Sequence, residues 1–134
     1  MAIETIRISQ QARDQLLRLK RTTGIKNWNV LCRWAFCTSL AERSKPTPAK
    51  IPADSEVEMT WKVFGGPQQE LYLAILKARC LRDGFGTSDD ALATQFRLHL
   101  HRGIGYLFAD RKIREISGIF RRLPGFETAE VSHG

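Results

Sequence analysis

Three cysteines and two of the three histidines, Cys32, Cys37, Cys80, His99 and His101, are the residues whose types could hold a metal or act as nucleophiles. Zinc sites draw on ligand pairs a few residues apart, and no pair in this set is separated by two residues. His99 and His101 lie two apart, so on a helix they point in different directions. The set reads as buried thiols and surface imidazoles. Two glycine-bearing stretches fall short of phosphate cradles. "GFGTSDD" lacks the lysine and the length of a phosphate loop, and "RGIGYL" lacks the third glycine of a dinucleotide fingerprint. The adjacent carboxylates Asp89 and Asp90 suit a helix start better than acid–base work. No Ser–His or Cys–His pair is placed by spacing. The expectation is a chain with no catalytic residue, no metal and no cofactor: not an enzyme.

What remains is electrostatic chemistry. Twenty-one basic against 14 acidic side chains give a net charge of +7 and a pI near 9.8. Residues 1–50 hold 10 basic and 3 acidic groups, residues 51–110 hold 6 and 8, and residues 111–134 hold 5 and 3. The positive charge therefore sits at the two ends, mostly the first, and a polyanion is its natural partner. The cations that could meet phosphate are Arg7, Arg13, Arg18, Lys20, Arg21 and Lys26, with Lys45 and Lys50 beyond them. No helix shows Asn, Gln and Arg together on one side, as base reading would require. These eight are read as phosphate contacts, which position a protein on DNA without choosing a sequence.

The elements that must carry these cations follow from periodicity. "IETIRIS" alternates, with Ile6 and Ile8 on one face, and predicts a short strand. Ser9 caps the helix that follows, its stripe is Ala12, Leu16 and Leu19, and Gly24 ends it. Asn27 is expected to cap a helix from Trp28 to Leu40. Eight of the ten residues from Trp28 to Cys37 are apolar or thiol, so this helix has scarcely a face for solvent. Two covers are open to it: other helices of the same chain, or further copies of the chain. "ERSKPTPAKIPADS" is a proline-rich linker running extended over the surface. "EVEMTWKV" alternates throughout, with Val57, Met59, Trp61 and Val63 on one face, and predicts a second strand.

Three helices are expected to follow. The first starts at Pro67, stops at Gly84, and buries Leu71, Ile75, Leu76 and Cys80. The second is capped by Ser88 and weakened near its end by Gly103 and Gly105. The third spaces Ile113, Ile116 and Phe120 on one face and ends at Pro124 and Gly125. The fold class is mainly α with one or two short β-strands: a ribbon-helix-helix-like N-terminal unit plus C-terminal helices in a single domain. Within residues 1–125, the strand-helix-helix unit takes 1–43, the linker 44–56, and the strand and later helices 57–125. Residues 126–134 are expected to be a flexible tail.

The length suits one domain. No stretch reaches the roughly 20 apolar residues of a membrane span, and the N-terminus lacks a signal's layout. Three cysteines without paired spacing point to a reducing, cytoplasmic setting and not to a disulfide framework. In ribbon-helix-helix proteins, strands of two subunits pair and their second helices pack together. Such an assembly would seal the outer side of the Trp28–Leu40 helix.

Three stretches, "TGIKNWNVLCRWAFC", "DSEVEMTWKVFGG" and "FRLHLHRGIGYL", closely resemble the DndE family of bacterial DNA sulfur-modification (phosphorothioation) proteins. The likeness runs from about Ile3 to Tyr106. It implies a small, mainly helical homotetramer that binds double-stranded DNA, preferentially nicked, through surface lysines and arginines. It also implies work beside a cysteine desulfurase, an adenylating sulfurtransferase-like enzyme and an ATPase, which together replace a non-bridging phosphate oxygen with sulfur. The matching cations are Arg18, Lys20, Arg21 and Lys26. Gly24 and the helix after it, with Trp28, Leu31, Trp34 and Phe36, are the expected oligomer interface. The function expected is therefore a non-catalytic DNA-binding subunit. A protein–protein adaptor of the same machinery and a ribbon-helix-helix repressor are the alternatives.

Overall fold

A computed structural model describes residues 3–110. The expected last helix and the tail lie outside them. In chain order the elements are β1 (Thr5–Arg7), α1 (Gln10–Thr23), α2 (Trp28–Ala41), β2 (Glu58–Thr60), α3 (Trp61–Gly65), a single 3-10 turn (Gly66–Gln68), α4 (Gln69–Arg82) and α5 (Asp89–Ala109). The fold is mainly helical with one two-stranded antiparallel sheet, in a strand-helix-helix order followed by further helices.

Local chemistry accounts for α1. The Ala12 N–H donates to Ser9 Oγ, and Gly24, at φ 79°, donates its N–H back to the Lys20 carbonyl. Its inner stripe is Ala12, Leu16 and Leu19. Asn27 stands at the N-cap of α2 in extended geometry but makes no side-chain cap bond.

Strand β1 pairs with β2 of the same chain, Ile6 opposite Met59 and Arg7 opposite Glu58. The strand pairing that ribbon-helix-helix proteins make between subunits is made here within one. Strand β2 is shorter than the alternation predicts. Thr60 accepts a hydrogen bond from the Val63 N–H, and this cap starts α3 at Trp61. Trp61 still goes inward, but Val63 is turned out to solvent. The helix wins because the Trp61 indole is fixed by donating to the Gln69 carbonyl at 3.2 Å, and stacks among Phe64 and Phe96.

The core is the seam between α2 and α5. A Cβ on Gly103 would lie 1.7 Å from the Ala35 carbonyl oxygen, so the two backbones touch there. Gly103 thus marks a helix crossing inside α5, not the weakening expected of it. Phe36, Phe64 and Phe96 form a mutually tilted cluster beside the crossing, with Tyr72 at its edge.

Helix α4 corrects a second expectation. Leu76 and Cys80 are buried, but Leu71 and Ile75 are exposed. Arg79 takes part of the inner side instead. Its guanidinium is 6% exposed, pairs with Asp83 at 2.8 Å and donates to the carbonyls of Leu40, Glu42 and Ser44. Burial alone would raise the Asp83 carboxyl, but the hydrogen bond and charge of Arg79, with Arg82 beside it, hold it below its ordinary value.

The proline-rich linker runs without regular structure and is tied down by arginines. Arg102 donates to the carbonyls of Ser39 and Ser44, and Arg97 to those of Arg7 and Ile51.

Candidate nucleic-acid interface

The cations expected to meet DNA divide into those engaged inside the chain and those facing out. Arg7 is engaged: it pairs with Glu58 and donates to the Ser55 carbonyl, bracing the sheet to the linker. Arg13 is half-buried and pairs with Asp14 at 3.5 Å. The Lys20 ammonium lies 4.2 Å from the Trp28 ring centroid, joining α1 to α2, and burial lowers its pKa. Lys45 stands over the Phe85 ring at 5.5 Å but is otherwise exposed. Arg18, Arg21, Lys26 and Lys50 are exposed.

Arg18 and Arg21 stand near the C-terminal end of α1, with Lys20 between them in sequence and Lys26 just past the turn at Gly24. Spacing of three residues puts Arg18 and Arg21 on neighbouring turns of one face. Arg18 and Arg21 border a hollow of about 390 Å³ whose lining also includes Leu19, Thr22 and Phe108. The Arg18 guanidinium lies 5.8 Å from the centroid of the half-buried Phe108 ring. Two guanidinium groups and an aromatic ring can take a phosphate and a stacked base together. Phe108 was invisible to sequence reasoning, since 90 residues separate it from Arg18 and only the course of α5 joins them.

The expected interface residues also divide. Leu31 and Phe36 lie fully inside the chain's own core, Phe36 against Phe64 of α3 and Phe96 of α5. They are unavailable to another copy, and that part of the expectation is corrected. Gly24 is buried in the turn it makes, and Trp28 is half-buried beside Lys20. Trp34 is 37% exposed, with Cys37 exposed one turn further along α2.

The three thiols are free, and both imidazoles are hydrogen-bonded within the fold. Burial pushes the Cys32 thiol up to about 12 and raises Cys37 and Cys80 as well, the opposite of an activated cysteine. Cys37 is nevertheless exposed, contrary to the buried-thiol reading. Both histidines sit further in than expected, His99 fully buried and His101 half-buried. Ser39 Oγ accepts from Arg102 Nε and so offers its proton to His99 Nδ1 at 2.8 Å. Desolvation, with the charges of Arg79 and Arg102, brings His99 down to about 4. His101 accepts the Ser9 N–H at Nε2 and donates from Nδ1 to the Arg97 carbonyl, roles that require the neutral ring. Among the described residues no group of three or more His, Cys, Asp or Glu could hold a metal, and no helix is long and apolar enough to cross a membrane.

The family model described as "DNA sulphur modification protein DndE" matches residues 5–115. The chain belongs to the DndE family. It is similar to the crystal structure of DndE from Escherichia coli B7A, involved in DNA phosphorothioation modification, with a TM-score of 0.67 and 25% identity over 80% of this chain and 98% of that one. A DndE double mutant with two glycines replaced by lysine, also described as involved in DNA phosphorothioation, gives a TM-score of 0.60 at 23% identity over 78% of this chain and 95% of that one. That second likeness concerns the fold alone. No curated protein matches the chain.

Proposed function

We propose that this DndE-family chain is a non-catalytic, cytoplasmic, DNA-binding subunit of the phosphorothioation machinery, acting as a homotetramer on duplex DNA with preference for nicks. The observation that carries the reading is the pair Arg18 and Arg21 beside a hollow with an aromatic wall, Phe108. Phosphates bind the cations in any sequence context. A nick supplies what intact duplex does not: a hinge, and a terminal base that can leave the stack for Phe108. The raised thiols support a non-catalytic role, leaving sulfur chemistry to a cysteine desulfurase, a sulfurtransferase-like enzyme and an ATPase. The exposed Trp34 supports assembly, since a second copy would cover it.

Fluorescence anisotropy with nicked and intact duplexes of one sequence tests the reading. Wild type should bind the nicked form more tightly. Arg18→Glu with Arg21→Glu should weaken both by at least tenfold and flatten the salt dependence by about two charges. Phe108→Ala should remove the preference while leaving the salt slope alone. Equal affinity of wild type for the two duplexes, or an unchanged slope in the double variant, would overturn it.

A second reading, a protein–protein adaptor, is favoured by the apolar residues left exposed on α2 and α4. Pull-downs with the ATPase and the sulfurtransferase-like enzyme, with and without nuclease, separate the two. The repressor reading loses ground, since β1 is paired with β2 and not with a second β1 that would enter a groove.

A further inference from the structure

Helix α4 is apolar on two sides. Leu76 and Cys80 are sealed inward, while Leu71, Ala74, Ile75, Ala78 and Leu81 are all exposed. The exposed five recur at intervals of three, one, three and three residues, which places them on one stripe. Leu71 is 53% and Leu81 63% exposed, so nothing in the described residues covers the stripe's ends. The stripe reads alike in both directions from Leu76: Ala74 and Ala78 stand two residues away, Leu71 and Leu81 five. A surface with that symmetry complements an antiparallel copy of itself, which a two-fold interface demands and an unrelated partner does not.

We propose that α4 packs antiparallel against α4 of a second copy of this chain, about a two-fold axis level with Leu76. The proposal rests on the reading that the chain assembles, and it names the surface. Leu71 then shares a layer with Leu81 of the second copy, and Ala74 with Ala78. The two alanines let the helix axes approach closely. Ile75 meets its own counterpart along one edge. On the other edge lie Glu70 and, about 7.5 Å along the axis from it, Lys77 of the second copy, within reach of two long side chains; neither residue forms an ion pair within the described residues. Charge favours this side too. Residues 51–110 carry 6 basic and 8 acidic groups against 10 and 3 in residues 1–50, so joining through α4 avoids facing two strongly positive regions. A 14-residue helix is only about 21 Å long. The pair alone falls short of the about 800 Å² per partner of a standard interface, so its dissociation constant is expected to be micromolar.

Sedimentation velocity on the full chain from 1 to 100 μM tests this. Ile75→Arg and Ala78→Glu, both at exposed positions, should halve the mass of the assembly with unchanged far-UV circular dichroism. Glu70→Lys should weaken association roughly fivefold, and adding Lys77→Glu should restore it. An assembly indifferent to these α4 variants but dissociated by Trp34→Glu would overturn the α4 proposal and leave the assembly reading standing. A wild-type monomer throughout the range would overturn both, leaving the stripe to residues 111–134 or another protein.

Discussion

Helices α1 and α4 have the same length, 14 residues, and opposite outer faces. Helix α1 buries one clean stripe and exposes only polar side chains, Gln10, Gln11 and Asp14 toward its start and Arg18 and Arg21 toward its end. Helix α4 spends apolar residues on both sides and seats a charge, Arg79, inside. A single-sided helix declares its orientation in the sequence and leaves a face free for a soluble partner such as a polyanion. A double-sided one needs a second cover. The two helices therefore assign different partners to different parts of one small chain. Variants that separate their supports test that division.

The largest effect should come from the seam both helices lean on. Gly103→Ala puts a methyl group 1.7 Å from the Ala35 oxygen and 2.4 Å from its carbonyl carbon, backbone atoms that cannot step aside. A loss of more than about 3 kcal/mol is expected from urea unfolding. Gly105→Ala, two residues on, meets nothing within 4 Å among the described residues and should gain up to about 1 kcal/mol. Equal effects at the two glycines would mean that the helix crossing does not lie where Gly103 marks it.

Next in size is the charge inside α4. Arg79→Met strands the buried Asp83 carboxylate and four of the guanidinium's hydrogen bonds, at a cost of about 3 kcal/mol. Arg79→Met with Asp83→Leu should recover part of that loss. On α1, Arg18→Gln should change stability by less than about 0.5 kcal/mol, because its guanidinium faces out. Comparable losses at Arg18 and Arg79 would erase the contrast between the two helices.

That contrast also explains what could be read from sequence. Helix α1 was legible to its ends, because Ser9, Gly24 and a single apolar stripe agree. In α4 every register offers apolar residues, so periodicity does not choose the inner side, and the expected burial of Leu71 and Ile75 gives way to exposure. The alternation overextends strand β2 because Trp61 and Val63 keep the pattern while Thr60 caps a helix. At the candidate site the cations were visible as charge. Which of them were committed was not: Arg7 answers to Glu58, and Lys20 to Trp28, only once distant segments meet.

Acid should loosen the helix joints while leaving the lysines and arginines charged. His101 bridges Ser9 at the start of α1 to α5, and His99 bridges Ser39 in α2 to α5, both as neutral rings. His99 falls from 6.5 to about 4, and burial lowers His101 also. The unfolded chain therefore takes up protons first as pH falls. Stability should be full above about pH 6.5 and decline by about 2 kcal/mol toward pH 4, after allowance for solvent screening. Urea midpoints across that range check it, and His101→Gln should shallow the decline. A flat profile would mean that neither ring is held neutral.

The smallest expected effect separates cations that serve DNA from those that serve the fold. Lys20 shares its neighbourhood with Arg18 and Arg21, yet its ammonium rests 4.2 Å from the Trp28 ring centroid and is partly withdrawn from solvent. Lys20→Gln should cost about 0.5–1 kcal/mol of stability by releasing α1 from α2. Arg21→Gln should cost none. On nicked duplex the order should reverse, with Arg21→Gln lowering the salt slope by about one charge and Lys20→Gln by less. If Lys20→Gln instead left stability alone and lowered the slope fully, the Trp28 contact would be incidental and the basic face of α1 would extend to the turn before α2.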